Sequence, residues 1–272
     1  MTDSLLLGNA DCRVRVDSAH GGRIASLRVY GEELLVGAGD DPLAWGSYPL
    51  APWAGRLREG RFRFGGREYR MPCSCGAHAM HGIVFTRRWQ RVAGDTLRIE
   101  LAPDWPFDGF ALQRFVLHGD GLDVRLELHA RKQTYPASAG FHPWFRRRLG
   151  RGAPLALDLH AAQRVVLDGD GLPTGALASP DTASGDDCFF GLHNDPCLHW
   201  PGVLRLRLSS NHAHWVVYER PAHALCVEPW TAPPDALNGA PALVRPGEPL
   251  LLEMRLRWER ESRGPAQASA LI

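Results

Sequence analysis

A chain of 272 residues is long enough for one large domain or two ordinary ones, and its 44% hydrophobic residues can fill a sizeable core. The formal net charge of +1 argues against nucleic acid or an anionic membrane as the main partner, because both attract strongly basic surfaces.

Alternation of apolar and polar residues is the dominant pattern along the chain, and this period of two predicts strands with one buried face. Turn residues divide the strands roughly every eight to twelve residues, which is typical of an antiparallel sandwich or barrel. In chain order, the predicted strands cover residues 13–16, 24–29, 62–64, 69–71, 89–92, 97–101, 112–117, 122–128, 155–159, 203–208, 215–218 and 250–258.

The Gly65-Gly66 pair between two of these strands predicts a tight hairpin. No long segment combines the helical period with caps, and neither a linker nor an internal repeat divides the chain. We therefore predict an all-β protein, a large antiparallel β-sandwich. It would occupy residues 1–258 as a single domain, and a polar tail would follow over residues 259–272.

The six cysteines match neither a disulfide framework nor a metal site. Cys73 and Cys75 are one residue apart, which is the wrong spacing for a zinc knuckle and tight for a disulfide. Residues 1–8 hold only a three-leucine run, too short for the apolar region of a signal peptide. No apolar stretch approaches the length that spans a bilayer. We expect free thiols and a cytoplasmic protein with no membrane partner.

A candidate catalytic histidine lies in the segment 140–145, Gly-Phe-His-Pro-Trp-Phe. A residue before proline is biased to extended geometry, so we expect His142 at a strand end or turn, with its imidazole held in one direction. Histidine titrates near neutral pH, so a rigid histidine between aromatic residues suits proton transfer. The alternative is a hydrogen-bonded histidine within an aromatic core.

A candidate catalytic carboxylate lies in the segment 224–230, Ala-Leu-Cys-Val-Glu-Pro-Trp. A carboxylate at the end of a buried strand is costly unless it is paired or used, and partial burial would raise the pKa of Glu228. The alternative is a structural ion pair with an arginine. Because His142 and Glu228 each precede a proline and lie near a tryptophan, we interpret them as an acid and base pair.

Three further polar positions interrupt the alternation. Arg56 follows a Pro/Gly turn and could donate several hydrogen bonds to ligand hydroxyls, or it could be an ordinary surface arginine. His81 precedes Gly82, which would let a ligand approach the backbone. Asp186 and Asp187 precede an aromatic pair, and alone they are typical of a solvated turn.

The chain resembles the aldose 1-epimerase (galactose mutarotase) family from Gly22 to Trp258, through motifs whose order and spacing match. These motifs cover residues 52–56, 80–82, 140–145, 186–189 and 226–231. The resemblance implies a large antiparallel β-sandwich. Two departures concern the sugar: the chain is shorter than typical galactose mutarotases, and Ala54 or Gly55 stands where the family more often has asparagine.

The resemblance also implies roles for individual residues. Glu228 would take the proton of the anomeric hydroxyl, and His142 would protonate the ring oxygen. His81 would form a hydrogen bond near the ring oxygen. Arg56 and Asp186 would hold sugar hydroxyls, although register alone does not choose between Asp186 and its neighbour Asp187.

The implied reaction interconverts the α and β anomers of a free aldose and needs no cofactor or metal. Trp53, Trp144 and Trp230 could stack on the apolar face of the sugar. One rival function is a hexose-6-phosphate 1-epimerase, which needs a basic cluster such as the arginines at 146–148. Another is a carbohydrate-binding module, which would keep the aromatic residues without needing both His142 and Glu228.

Overall fold

The computed structural model describes residues 4–261. Three short 3₁₀ turns are present, Arg58–Gly60, Pro180–Thr182 and Ala236–Asn238, and the described residues contain no α-helix. The strands in chain order are β1 (Ser4–Gly8), β2 (Cys12–Asp17), β3 (Arg23–Val29), β4 (Glu32–Glu33), β5 (Ser47–Leu50), β6 (Arg56–Leu57), β7 (Arg61–Phe64), β8 (Arg67–Arg70), β9 (Ala79–Met80), β10 (Gln90–Ala93), β11 (Thr96–Glu100), β12 (Gly109–Leu117), β13 (Gly121–Ala130), β14 (Tyr135–Ala137), β15 (Gly140–Arg146), β16 (Ala156–Asp158), β17 (Ala161–Leu167), β18 (Pro173–Ala178), β19 (Asp186–Leu192), β20 (Cys197–Trp200), β21 (Leu204–Ser210), β22 (His214–Tyr218), β23 (Ala224–Trp230), β24 (Ala242–Val244) and β25 (Leu250–Arg260).

Two large antiparallel sheets form the architecture. The first has the strand order β1-β2-β3-β5-β15-β23-β22-β19-β17-β18, with β4 paired to β3. The second has the order β10-β11-β12-β13-β25-β21-β20-β16. Three two-stranded ribbons, β6–β9, β7–β8 and β14–β24, complete the described pairing. The predicted antiparallel β-sandwich is confirmed.

Every strand predicted from alternation overlaps an observed strand, and the hairpin predicted at Gly65-Gly66 joins β7 to β8. Strands β15 and β23 lack the alternation because almost every residue in them is buried on both faces of the first sheet. His142 lies inside β15, whereas the sequence analysis predicted that it would lie at a strand end or in a turn. Strand β25 runs two residues past the predicted boundary at 258, and residues 262–272 of the predicted tail lie outside the described residues.

The main hydrophobic core lies between the two large sheets. Alternate residues of each strand enter it, as the period of two requires. Strand β15 contributes Phe141 and Phe145, β23 contributes Leu225 and Val227, and β13 of the opposite sheet contributes Leu126 with its neighbours. The residues between these positions on β15 and β23 therefore point to the other face of the first sheet.

No helix within residues 4–261 is long and apolar enough to cross a membrane. The prediction that residues 1–8 are not a signal peptide falls partly on residues 1–3, which lie outside the described range.

We expect Leu126→Ala to lower the free energy of unfolding by about 2–5 kcal/mol, because Leu126 is fully buried between the sheets and the change leaves a cavity. Leu6→Ala is the matched control, since Leu6 is 68% exposed on strand β1. It should change the free energy of unfolding by roughly 0.5 kcal/mol or less. Urea unfolding of both variants measures the difference, and equal effects would contradict the placement of the core.

Candidate active site

A second, smaller core covers the outer face of the first sheet, and the candidate site lies in it. On β15 the outward residues are His142 and Trp144, and on β23 they are Cys226, Glu228 and Trp230. We call this cluster the small core; its buried hydrophobic members are Tyr48, Leu50, Ala54, Trp144, Val165, Cys188, Val216, Ala224, Cys226 and Trp230.

The register between β15 and β23 brings the two candidate catalytic residues together. Gly140 pairs with Trp230 and Trp144 pairs with Cys226, so His142 lies directly opposite Glu228. The imidazole Nε2 is 3.4 Å from the carboxylate Oε1. Residues far apart in sequence thus form one polar contact at the centre of the sheet.

Two prolines lie where the ladder between these strands is interrupted. Gly140 pairs with Trp230, and the next pair is Trp144 with Cys226. Pro143 and Pro229 lie in the unpaired stretch between these two pairs. A proline has no N–H to donate, so it removes a ladder hydrogen bond wherever it stands in a strand. The prolines next to His142 and Glu228 therefore fit the local opening of the sheet.

The His142 ring is held by aromatic side chains. Tyr48 stacks on it with ring centroids 4.9 Å apart, and Trp144 lies almost parallel to it at 5.4 Å. The His81 ring meets it edge-on at 5.3 Å. The residue is 6% exposed, and its Nδ1 atom is buried without a hydrogen-bond partner in the described residues. The packing leaves Nε2 directed at Glu228.

Glu228 is held by the tryptophan two residues along its strand. The indole N–H of Trp230 donates to Oε2 at 3.1 Å, which leaves Oε1 for His142. The Trp230 ring fits only because glycines face it: a Cβ atom at Gly55 or Gly140 would come within 3 Å of the indole. This explains why the motifs at 52–56 and 140–145 both contain glycine.

His142 and Glu228 are both almost fully buried, and this burial controls their protonation. Burial raises the pKa of the Glu228 carboxyl well above its ordinary value, and the Asp186 charge raises that pKa further. Burial lowers the pKa of His142 well below its ordinary value, and His81 and Arg23 act in the same direction. Both shifts favour the neutral forms, a carboxylic acid beside a neutral imidazole.

His81 is a neutral donor with a fixed tautomer. Its backbone has a φ of 61°, and its Nδ1 accepts the Gly55 N–H at 3.2 Å. The ring proton must therefore lie on Nε2. Burial, assisted by the Arg56 charge, lowers the pKa of His81 to about 3, so this donor stays uncharged at neutral pH.

Both adjacent aspartates line the cavity, but their hydrogen-bond partners differ. The Asp187 carboxylate accepts the backbone N–H groups of Ser184 and Gly185 at 2.6 and 2.8 Å, so it stabilises its own turn. Asp186 lies on the same face of β19 as Cys188 and lines the cavity. Burial raises the pKa of Asp186, against the opposing effect of Arg56.

These groups surround a cavity of about 300 Å³, a size that suits a small ligand. The Arg56 guanidinium lines it and forms no ion pair or hydrogen bond with another side chain in residues 4–261. The cavity is lined by Asp41, Leu43, Tyr48, Gly55, Arg56, Met80, His81, His142, Trp144, Leu167, Gly171, Asp186, Asp187, Cys188, Val216, Tyr218, Arg220, Glu228, Trp230 and Pro234.

One predicted binding residue lies elsewhere. Trp53 is in the main core with its ring 6.0 Å from that of Trp105, and it does not reach the cavity wall. The arginines at 146–148 line a separate cavity. Arg146 donates to the carbonyl of Leu35, and Arg147 donates to the carbonyl of Glu219, so both guanidinium groups hold the backbone.

Several cavity residues carry no clear signal in the sequence. Tyr48 belongs to a short strand buried on both faces, and Gly171 lies in the loop between β17 and β18. Gly171 has a φ of +72°, and a Cβ atom there would lie 2.5 Å from the Arg56 guanidinium. Only the tertiary fold brings this loop to Arg56.

We expect Glu228→Gln to become more stabilising relative to the wild type as pH rises. The pKa of Glu228 is raised in the folded state. Its contribution to stability is therefore present below the unfolded-state pKa of about 4.3 and is lost as pH rises through the folded-state pKa. Glutamine keeps the shape and the acceptor for Trp230 but does not titrate. Thermal unfolding from about pH 5 to about pH 9 tests this.

Asp95→Asn is the control, since Asp95 pairs with Arg114 at 2.9 Å and accepts a hydrogen bond from the Thr96 hydroxyl. These partners lower the pKa of Asp95, so its contribution is lost only as pH falls below the acidic end of this range. Its difference in Tm from the wild type should stay flat. A flat difference for Glu228→Gln as well would contradict the buried, raised pKa.

Comparisons with known proteins agree with this architecture. The uncharacterized protein YihR of Escherichia coli (strain K12) is 26% identical over an alignment of 251 residues, with 81% of each chain covered. The galactose 1-epimerase of Lactobacillus acidophilus NCFM superposes with a TM-score of 0.76 at 17% identity, over 94% of each chain. The GalM/aldose epimerase homologue of C. elegans superposes with a TM-score of 0.79 at 16% identity, over 95% of this chain and 99% of the other. The family model of aldose 1-epimerase matches residues 3–257, and the chain therefore belongs to the aldose 1-epimerase family.

Proposed function

We propose that the protein is an aldose 1-epimerase that interconverts the α and β anomers of a free aldose. One observation carries the proposal: a buried imidazole and a buried carboxyl face each other at 3.4 Å on the floor of a cavity of sugar size. Opening a hemiacetal ring needs one group that removes a proton and one that supplies a proton. Family membership supports the reaction class.

The reaction begins with the ring closed. Glu228 takes the proton of the anomeric hydroxyl while His142 gives a proton to the ring oxygen, and the bond between C1 and the ring oxygen breaks. The resulting aldehyde rotates about the C1–C2 bond. Ring closure on the other face returns a proton from the ring hydroxyl to His142 and one from Glu228 to the new anomeric oxygen.

The neutral forms of Glu228 and His142 together carry the number of protons that this cycle needs. A neutral carboxylic acid with a neutral imidazole contains the same single proton as a carboxylate with an imidazolium. Moving the proton from Glu228 to His142 across the 3.4 Å contact thus prepares the base and the acid in one step. A second proton would remove the base, and loss of the shared proton would remove the acid.

The other polar groups would orient the sugar. His81 offers a neutral N–H on Nε2, and we assign it to the ring oxygen or a neighbouring hydroxyl. Arg56 offers donors and Asp186 offers acceptors on the cavity wall, which suits a row of hydroxyls. Trp144 and Trp230 contribute apolar wall. No group in this scheme requires a cofactor.

The two rival functions have less support. The hexose-6-phosphate 1-epimerase hypothesis relied on the arginines at 146–148 to bind the phosphate, but these line another cavity and two of them hold the backbone. A carbohydrate-binding module would not need two ionisable groups buried in contact, because burying them is costly. The His142–Glu228 contact therefore favours an enzyme.

Substitution of either member of the pair tests the proposed reaction. Glu228→Gln removes the base and His142→Asn removes the acid, and each should lower the catalysed rate about 10²–10⁴-fold, as loss of a positioned acid or base does. Polarimetry of freshly dissolved α-glucose and α-galactose, corrected for the spontaneous reaction, measures the rate.

Glu261→Gln is the matched control, because it alters a histidine–glutamate pair outside the cavity and should leave the rate unchanged. Full activity in Glu228→Gln would refute the mechanism. A wild type that binds sugars without turning over any aldose or sugar phosphate would identify a binding module.

The contact of Gly171 with Arg56 generates a prediction about sugar affinity. Gly171→Ala should displace the guanidinium, and Arg56→Lys should remove its planar fork of donors. Each should raise KM about 10-fold, equivalent to about 1.4 kcal/mol of binding, with a small effect on kcat. Gly175→Ala controls for backbone strain, since Gly175 also has a positive φ but faces open space. Equal KM values in the Gly171→Ala and Gly175→Ala variants would exclude this role for Arg56.

A further inference from the structure

Three different metal-binding side chains meet beside the cavity: His142 and Glu228 line it, and Cys226 is buried next to them. His142, Cys226 and Glu228 each offer one donor atom, and these atoms lie within 4.8 Å of one another. All three side chains are buried. The proposed reaction uses His142 and Glu228 but gives no role to the thiol.

Strand geometry explains why the three groups converge. Cys226 and Glu228 are two residues apart on β23, so their side chains leave the same face of the sheet. His142 lies on the neighbouring strand, opposite Glu228. The Oε2 atom of Glu228 is occupied by Trp230, while Oε1 faces the imidazole. One nitrogen, one oxygen and one sulfur atom are therefore available to the same point.

The spacing suits a tetrahedral ion after a small adjustment of the side chains. Zinc binds nitrogen and oxygen at about 2.0–2.2 Å and sulfur at about 2.3 Å, so its donor atoms lie roughly 3.3–3.6 Å apart. The separation of His142 Nε2 and Glu228 Oε1, 3.4 Å, already meets this requirement. The Cys226 sulfur would need to move by about 1 Å or a little more to reach tetrahedral spacing.

We propose that His142, Cys226 and Glu228 form an inhibitory site for a thiophilic divalent cation such as Zn²⁺. The mixed nitrogen, oxygen and sulfur donor set favours Zn²⁺ and Co²⁺ over Mg²⁺ and Ca²⁺, which prefer oxygen alone. The thiol and the neutral Glu228 carboxyl each release one proton to solvent as the ion binds. The ion occupies the lone pairs of His142 and Glu228 that proton transfer requires, so the metal-bound enzyme is inactive.

Binding of cobalt tests the site without reference to activity. Addition of Co²⁺ to the wild type should give a sulfur-to-metal charge-transfer absorption with a stoichiometry of one, and Zn²⁺ should abolish it by competition. In polarimetry, Zn²⁺ should inhibit, a chelator should restore the rate, and Mg²⁺ should have no effect. The inhibition arm rests on the proposed function, whereas the absorption arm does not, so the two can fail separately.

Cys226→Ala should lose the charge-transfer band and bind Zn²⁺ about 100-fold or more weakly, since losing a ligand costs at least as much as losing an outer partner. It should retain the catalysed rate. Cys226→Ser, closer in shape, covers the case in which alanine impairs folding. Cys188→Ala is the control for the band, because Cys188 is a buried thiol of the same small core outside this group. A band that persists in both Cys226 variants, or no band in the wild type, overturns the proposal.

Discussion

The contact between His142 and Glu228 is the interaction on which the site depends, because it holds two ionisable groups in contact where both are almost fully buried. Burial of either group alone would be expensive. Their pKa shifts favour neutral forms of both residues, which together hold the one proton that the proposed ring opening needs. The proposed reaction would explain the cost of this burial, since a pair of apolar side chains would pack there more stably.

The surrounding structure keeps this pair rigid. Tyr48 covers one side of the His142 ring, and beneath Tyr48 lies Arg23, a buried cation 4.8 Å from the Tyr48 ring. Arg23, the first residue of β3, donates to the backbone carbonyls of Pro42 and Phe85, which joins β3 to two loops under the site. Its charge also opposes protonation of His142. On this side of the site, packing thus holds the His142 ring in place and the Arg23 charge favours its neutral form.

The first sheet serves two cores at once. Its inner face closes the sandwich, and its outer face carries the small core and the cavity. A side chain on β15 or β23 that changes faces would disturb both, so the register of these strands is strongly specified. The same double burial gives the cavity a buried floor, and polar groups that include Arg56 and Asp186 line its wall.

The sequence by itself determined the β architecture, since alternation identifies strands that have one wet face, and it singled out His142 and Glu228 as unusual residues before prolines. It could not show that the two face each other, because pairing of distant strands depends on the whole sheet. Nor could it show that Asp187 binds the backbone of its own turn, that Trp53 lies in the main core, or that Gly171 lies next to Arg56. Strands buried on both faces have no alternation, and loops meet only through tertiary packing. The details of the site were therefore decided by contacts between residues far apart in the chain.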